Sequence, residues 1–183
     1  MSAFLKLKEK ILYKKITPKP FKNFRFINFS QINHKSFYKL ISSARIRKNL
    51  KTNYNITYEK HLSYVKNYKN KKIIDFILIC KNTKKIIGLF SIKKTIIGYE
   101  IGKSILNKKF LGKGIAKKGT IRLIDFFFNY FKKKTIYAVT STQNYKNINL
   151  NNKLGFKISD IRKKYYIMKL SYVRFYNFCF KKK

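Results

Sequence analysis

Six consecutive residues carry the densest chemical information in this sequence: Lys109-Phe110-Leu111-Gly112-Lys113-Gly114, which follow an apolar stretch and precede one of helical period. Glycines two apart let a tight loop turn several backbone N–H groups toward one point. The positive end of the following helix dipole adds to them, which suits a pyrophosphate. Lys109 or Lys113 completes such a cradle with a side-chain cation. The spacing is that of neither a P-loop nor the longer dinucleotide fingerprint. All seven glycines lie between Gly88 and Gly155. Glycine is kept where φ is positive or where a ligand comes too close for a Cβ, so the ligand site belongs to the middle and later part of the chain. The titratable candidates are Glu100, one of three glutamates, and His61, one of two histidines. Asn144 and Asn147 open a further polar stretch that closes on Lys153-Leu154-Gly155-Phe156.

These residues need elements to hold them. Phe24, Phe26 and Phe29 predict a first strand over residues 23–29, after a Pro18-Lys19-Pro20 linker that stops any preceding helix. Phe37, Leu40, Ile41 and Ala44 stand at helical spacing within 33–47, and Thr57 is a candidate N-cap for a second short helix carrying Leu62 and Val65. Residues 73–80 and 85–93 form a hairpin across Asn82-Thr83, with 95–106 as a third partner. A helix over 114–131, a strand over 135–141, a short helix over 145–154 with Gly155 as its C-cap and a last strand over 165–170 complete the pattern. The order is β-αα-βββ-α-β-α-β, an α/β (α+β) domain over residues 23–171. It lies between a basic N-terminal extension, 1–22, with an amphipathic helix over 4–15, and a basic aromatic tail, 172–183.

At the glycine loop and the late asparagines the chain resembles the GCN5-related N-acetyltransferase superfamily. That family's acetyl-CoA loop reads Gln/Arg-x-x-Gly-x-Gly/Ala, here with Lys109 in first place. Its later Asn stands eleven residues before the Gly of Leu-Gly-Phe, as Asn144 stands before Gly155. The resemblance implies a mixed, mostly antiparallel, splayed sheet of six or seven strands flanked by about four helices, with acetyl-CoA as co-substrate and no metal. Backbone groups of Ile105 and Leu106 would pair with the pantetheine amides as an added strand. Amides of Leu111, Gly112, Lys113, Gly114, Ile115 and Ala116 would hold the pyrophosphate. Asn144 would bond the pantetheine arm, unless it serves only as an N-cap, and Asn147 would lie beside it.

A narrower resemblance runs from Leu50 to Val65 and includes Thr52, Ile56, Glu59, His61 and Leu62. It is similar to a segment of the pseudaminic-acid pathway enzymes that acetylate the 4-amino group of a UDP-linked 4-amino-4,6-dideoxy sugar. Arg47, Thr52 and His61 are the acceptor-binding candidates on this reading. Acetyl transfer to an amine needs a proton acceptor: Glu100, on the strand expected to flank the acetyl group, or His61. The alternatives are an outward Glu100 paired with a surface Lys and a His61 on a helix surface. Asn151 stands where many family members place a proton-donating Tyr, so no general acid is assigned.

The 45 Lys+Arg against 6 Asp+Glu give a net charge of +39. Such a charge can mark a nucleic-acid partner. Here Lys, Ile, Phe, Asn and Tyr make up 113 of 183 residues, the types whose codons are written almost wholly in A and T, and codon bias accounts for the charge first. Cys80 and Cys179 make neither a disulfide framework nor a four-sulfur zinc site and point to a reducing compartment. No apolar stretch is long enough for a membrane span, and no signal peptide is visible. The expectation is a cytoplasmic N-acetyltransferase for a small amine, without a membrane partner, with a homodimer left open. A protein N-terminus is the alternative acceptor. A non-catalytic nucleic-acid binder is the alternative from another class.

Overall fold

The computed structural model describes residues 2–47 and 56–180. The frame of the protein is one seven-stranded sheet of β1 (Phe24–Asn28), β2 (Ile73–Cys80), β3 (Ile86–Thr95), β4 (Gly98–Ile105), β5 (Thr135–Ser141), β6 (Lys157–Arg162) and β7 (Tyr165–Ser171), in the order β1-β2-β3-β4-β5-β7-β6. The apolar run of β2 is buried on both faces. Ile74, Phe76 and Leu78 join one core cluster, while Ile77 and Ile79 join another on the opposite face, as the period of two in a strand requires.

Helices α1 (Ala3–Tyr13), α5 (Ile115–Phe131) and α7 (Tyr172–Phe180) contribute to the first cluster. Helices α2 (His34–Ile41) and α3 (Ala44–Arg47) contribute to the second, where α4 (Tyr58–Lys66) packs beside them. Gly119 lets α5 lie flat on β3, because a Cβ there would stand 2.5 Å from the Phe90 ring.

Strand pairing creates the feature that matters for function. Every neighbouring pair is antiparallel except β4 and β5, which run parallel and touch at one residue pair, Glu100↔Tyr137. Beyond it the strands part, and the sheet opens into a V between residues 101–105 of β4 and 138–141 of β5. Helix α6 (Tyr145–Asn152) follows β5 at this opening.

The sheet has the expected class, splay and strand number. Helices are more numerous than the expected four: seven α-helices are present among the described residues. The expected 33–47 helix is two, α2 and α3, broken at Ser42-Ser43. Strand β6 was not anticipated because all six of its residues are exposed, and a register shift between Ile158 and Asp160 disturbs its alternation. The two flanking segments share the main core: Phe4, Ile11 and Phe175 lie in the same cluster as Phe90 and Phe127. Lys8 is buried as well, its ammonium donating to the carbonyls of Tyr68 and Lys71. No helix among the described residues is long and apolar enough to cross a membrane.

Candidate active site

The glycine loop joins β4 to α5. Asn107 starts it by accepting the Lys109 N–H at 3.1 Å, which shapes a short 3-10 turn over Lys108–Phe110. Gly112 and Gly114 then take φ of +73° and +70°, and beyond their chain neighbours no atom of the described residues lies within 4 Å of where a Cβ would sit. Their backbone geometry, not crowding from the protein, selects glycine, and the space around them is open. Gly114 is the N-cap of α5 and has no side chain to cap the first turn. The N–H groups of that turn lack intrahelical acceptors and are left to a ligand anion. Leu111 and Lys113 are exposed beside them, and the Lys113 ammonium stands 5.8 Å from the Phe110 ring centre. The loop fits a pyrophosphate on chemical grounds: open donors, a helix dipole and two flanking lysines.

At the end of β4, backbone groups are already engaged. The N–H groups of Leu106 and Asn107 both donate to the Ile87 carbonyl, at 2.8 and 3.2 Å. Arg45 of α3 donates to the Ile105 carbonyl at 3.2 Å and to the Leu106 carbonyl at 2.5 Å. Arg45 thus ties α3 to the lip of the V, at the two residues expected to meet the pantetheine. The Ile105 carbonyl accepts from both Nη1 and Nη2 of Arg45, while the Leu106 carbonyl accepts from Nη2 alone and keeps a second lone pair.

On the other arm, the Asn144 side chain caps α6 by accepting the Asn147 N–H at 3.2 Å. Asn147 and Asn151 each donate their amide to Thr140 Oγ1 of β5, at 3.0 and 3.1 Å. Asn151 is fully buried, and its carbonyl oxygen accepts from the Lys103 ammonium at 2.6 Å. Burial holds the Lys103 pKa down at about 7.

A cavity of about 520 Å³ lies on the α2–α4 side of β4. Its wall is mainly apolar, from Phe29, Phe37, Ile46, Leu89 and Leu106, with Lys60, Ser91 and Ser104 among its polar members. Asp75, the one acid in the apolar run of β2, is among its lining residues. Its carboxylate accepts from Ser91 at 2.6 Å and Tyr64 at 3.0 Å, while its N–H donates to the Tyr68 hydroxyl at 2.6 Å. Burial raises the Asp75 pKa against these bonds and the nearby Lys8.

His61 lines this cavity and is only 3% exposed. Its ring is enclosed by Phe29, Phe37, Tyr38, Tyr58 and His34. Burial first, then repulsion from His34, lowers its pKa, with a hydrogen bond to the His34 backbone working the other way. Nε2 has no hydrogen-bond partner among the described residues. The bond to the His34 backbone puts the ring proton on Nδ1, so Nε2 presents a lone pair.

The other candidates are placed less centrally. Glu100 is half-buried at the apex of the V, opposite Lys93 and Tyr137, and is not part of the cavity wall. Arg47 lines a shallow depression that shares Ile56 with the cavity. Thr52 lies outside the described residues. Ile105 and Leu106 stand at the end of β4, one arm of the V, the Gly112–Ala116 loop follows them, and Asn147 is bonded to Thr140 on the other arm; His61 lines the cavity on the α2–α4 side of β4. Sequence reasoning missed Arg45, Asp75 and Lys103. Lys103 had a signal, since it shares the inward phase of Ile101 and Ile105, where a lysine is out of pattern.

No curated protein sequence matches the chain. Several solved structures share its fold. Spermidine N-acetyltransferase from Vibrio cholerae, solved with CoA and spermine, is 18% identical with a TM-score of 0.71, over 85% of this chain and 99% of that one. The ribosomal-protein-S5-alanine acetyltransferase from Vibrio fischeri is 18% identical with a TM-score of 0.67, over 85% and 97%. The Campylobacter jejuni N-acetyltransferase PseH is 21% identical with a TM-score of 0.64, over 82% and 99%. The family described as the acetyltransferase (GNAT) domain matches residues 26–157, from the first strand through the late asparagine motif, and the chain belongs to that family of acyltransferases.

Proposed function

We propose that the protein transfers acetyl from acetyl-CoA to the 4-amino group of a UDP-linked 4-amino-4,6-dideoxy sugar. Acetyl-CoA supplies the activated thioester. The first-turn amides of α5, with Lys109 and Lys113, bind its pyrophosphate, and the strand end at Ile105 and Leu106 aligns the pantetheine along the V. His61, which lines the acceptor cavity, takes the proton that the amine sheds on attack. Lowered basicity keeps the ring neutral at pH 7, and Glu100 at the apex is the second candidate base. The mainly apolar wall suits a deoxy sugar with a methyl group, while Lys60 and Arg47 at the rim suit a diphosphate.

The mainly apolar cavity beside the V, with His61 in its wall, carries this reading. Thiol release is to be measured with the amino-sugar nucleotide, spermidine and a peptide with an N-terminal alanine. The expected outcome is turnover with the sugar well above the other two. His61→Gln should lower kcat by about 10²-fold or more. In the wild type, the acid limb of kcat should fall below 6.5, the ordinary histidine value. Faster turnover of the peptide overturns the acceptor assignment in favour of a protein N-terminus, a reading favoured by the similarity to the Vibrio fischeri enzyme.

A further inference from the structure

An amine that displaces a thiolate leaves that thiolate in need of a proton, and a lysine stands on one arm of the V. Lys103 lies on β4 beyond the last residue shared with β5, in the part of the strand that forms one arm of the opening. Its ammonium reaches Asn151 of α6 at 2.6 Å. Asn151 is in turn fixed by donating to Thr140 of β5 at 3.1 Å and to the Met168 sulfur of β7 at 3.5 Å. One hydrogen bond therefore joins the two arms where the acyl donor is proposed to lie.

The choice of partner is informative. An aspartate at 151 would hold the lysine proton by charge, whereas an amide oxygen accepts from ammonium and from neutral amine alike. The lysine head can lose and regain a proton without losing its place. We propose that Lys103 is the proton donor to the departing thiolate of the acyl donor, with Asn151 as its positioning residue. This rests on the acetyl-CoA reading above.

In the step, the amine nitrogen bonds to the thioester carbonyl carbon and the C–S bond breaks with its electron pair on sulfur. One proton passes from Lys103 Nζ to that sulfur. The neutral lysine is reprotonated from water, and the proton shed by the amine goes to the base, so one amine proton replaces the acyl group on sulfur overall. With burial holding Lys103 near 7, transfer to a thiolate whose thiol has a pKa of about 8.5 is downhill. No carboxylate offsets that burial. The ionisable groups on the surrounding elements include Tyr99 on the same face of β4, Glu100 on its other face, Tyr137 of β5, Tyr166 opposite Thr140 on β7, and the exposed Tyr145 and Lys146 of α6. Lys117 and Lys118 are exposed on α5, and Phe90 is the β3 residue opposite.

The test uses acetyl-CoA with hydroxylamine in excess as a nucleophile that does not depend on the acceptor. Wild-type kcat should fall above about pH 7. Lys103→Met should be at least about tenfold slower at pH 7 and lack that alkaline limb. Lys103→Arg keeps the charge and a donor to Asn151 but releases no proton in this range, and should be as slow as Lys103→Met. Asn151→Asp should move the limb upward. In NMR of the free protein, one lysine ε-methylene signal should titrate near pH 7 and vanish in Lys103→Met. Recovery of rate by arginine, a limb that persists in Lys103→Met, or the absence of that titrating signal overturns the proposal. Wild-type protein that binds no acetyl-CoA in titration calorimetry overturns the acetyltransferase reading and this proposal with it; normal binding with an unaltered limb in Lys103→Met overturns this proposal alone.

Discussion

Lys109 and Lys113 flank the open loop at Gly112 and Gly114, and they test how so basic a protein handles one anionic ligand. Replacing either by Gln should weaken CoA binding by about 1.5–3 kcal/mol, the range for a hydrogen bond to a charged group. Lys163→Gln, in the exposed turn between β6 and β7, should leave binding unchanged. Titration calorimetry at about 0.15 M salt, where the Debye length is about 8 Å, separates the two cases, and an equal loss at Lys163 would mean that charge acts diffusely. The loop was legible in the sequence because its chemistry is local: φ, dipole and cation all lie within six residues. Lys103, Arg45 and Asp75 were not, because their partners stand 48, 60 and 16 residues away at Asn151, Ile105 and Ser91. His61 was singled out by its neighbours in sequence, but its cage is built by Phe29 and Phe37 from other elements.

Elements were easier to read than their mutual contacts. Strands β2 and β5 and helix α5 follow the apolar period to within a residue or two, since each buries a continuous face. Strand β6 is held by pairing with β7 rather than by burial, so hydrophobic patterning carries no sign of it. Gly119 shows what patterning hides. On an isolated helix, Gly→Ala is favourable by about 1 kcal/mol, yet here the new Cβ would stand 2.5 Å from the fully buried Phe90 ring. Gly119→Ala should destabilise by about 1–3 kcal/mol despite the propensity gain. Denaturant titration measures it, and pairing the change with Phe90→Leu should recover part of the loss. A stabilised Gly119→Ala would show that α5 can move off β3.

At the scale of the whole molecule, two lysines that the fold desolvates, the buried Lys8 and the half-buried Lys103, predict an alkaline optimum of stability. Burial lowers Lys8 to about 8 and Lys103 to about 7, from an ordinary value of 10.5. Between those values and 10.5 the unfolded chain binds protons that the folded chain does not, so stability rises with pH, by at most about 1.4 kcal/mol per pH unit for each lysine. Above pH 10 the trend reverses, because burial makes Tyr64 and Tyr68 keep their protons in the fold while unfolded tyrosine sheds them. Urea midpoints from pH 7 to 11, in salt high enough to screen the surface, should peak between about 9 and 10. Lys103→Met and Lys8→Met should each flatten the rise, and a midpoint that falls steadily from pH 7 would contradict it. The seat of Lys8 also bears on how the protein is born. Helix α1 leaves the ribosome before its dock exists, since Lys8 bonds to a carbonyl 63 residues later in the chain. At synthesis rates of about 5–20 residues per second, a sticky basic helix waits roughly 3–13 s before strand β2 and its Tyr68 neighbourhood emerge to receive it. In that interval the helix is open to capture by chaperones or proteases.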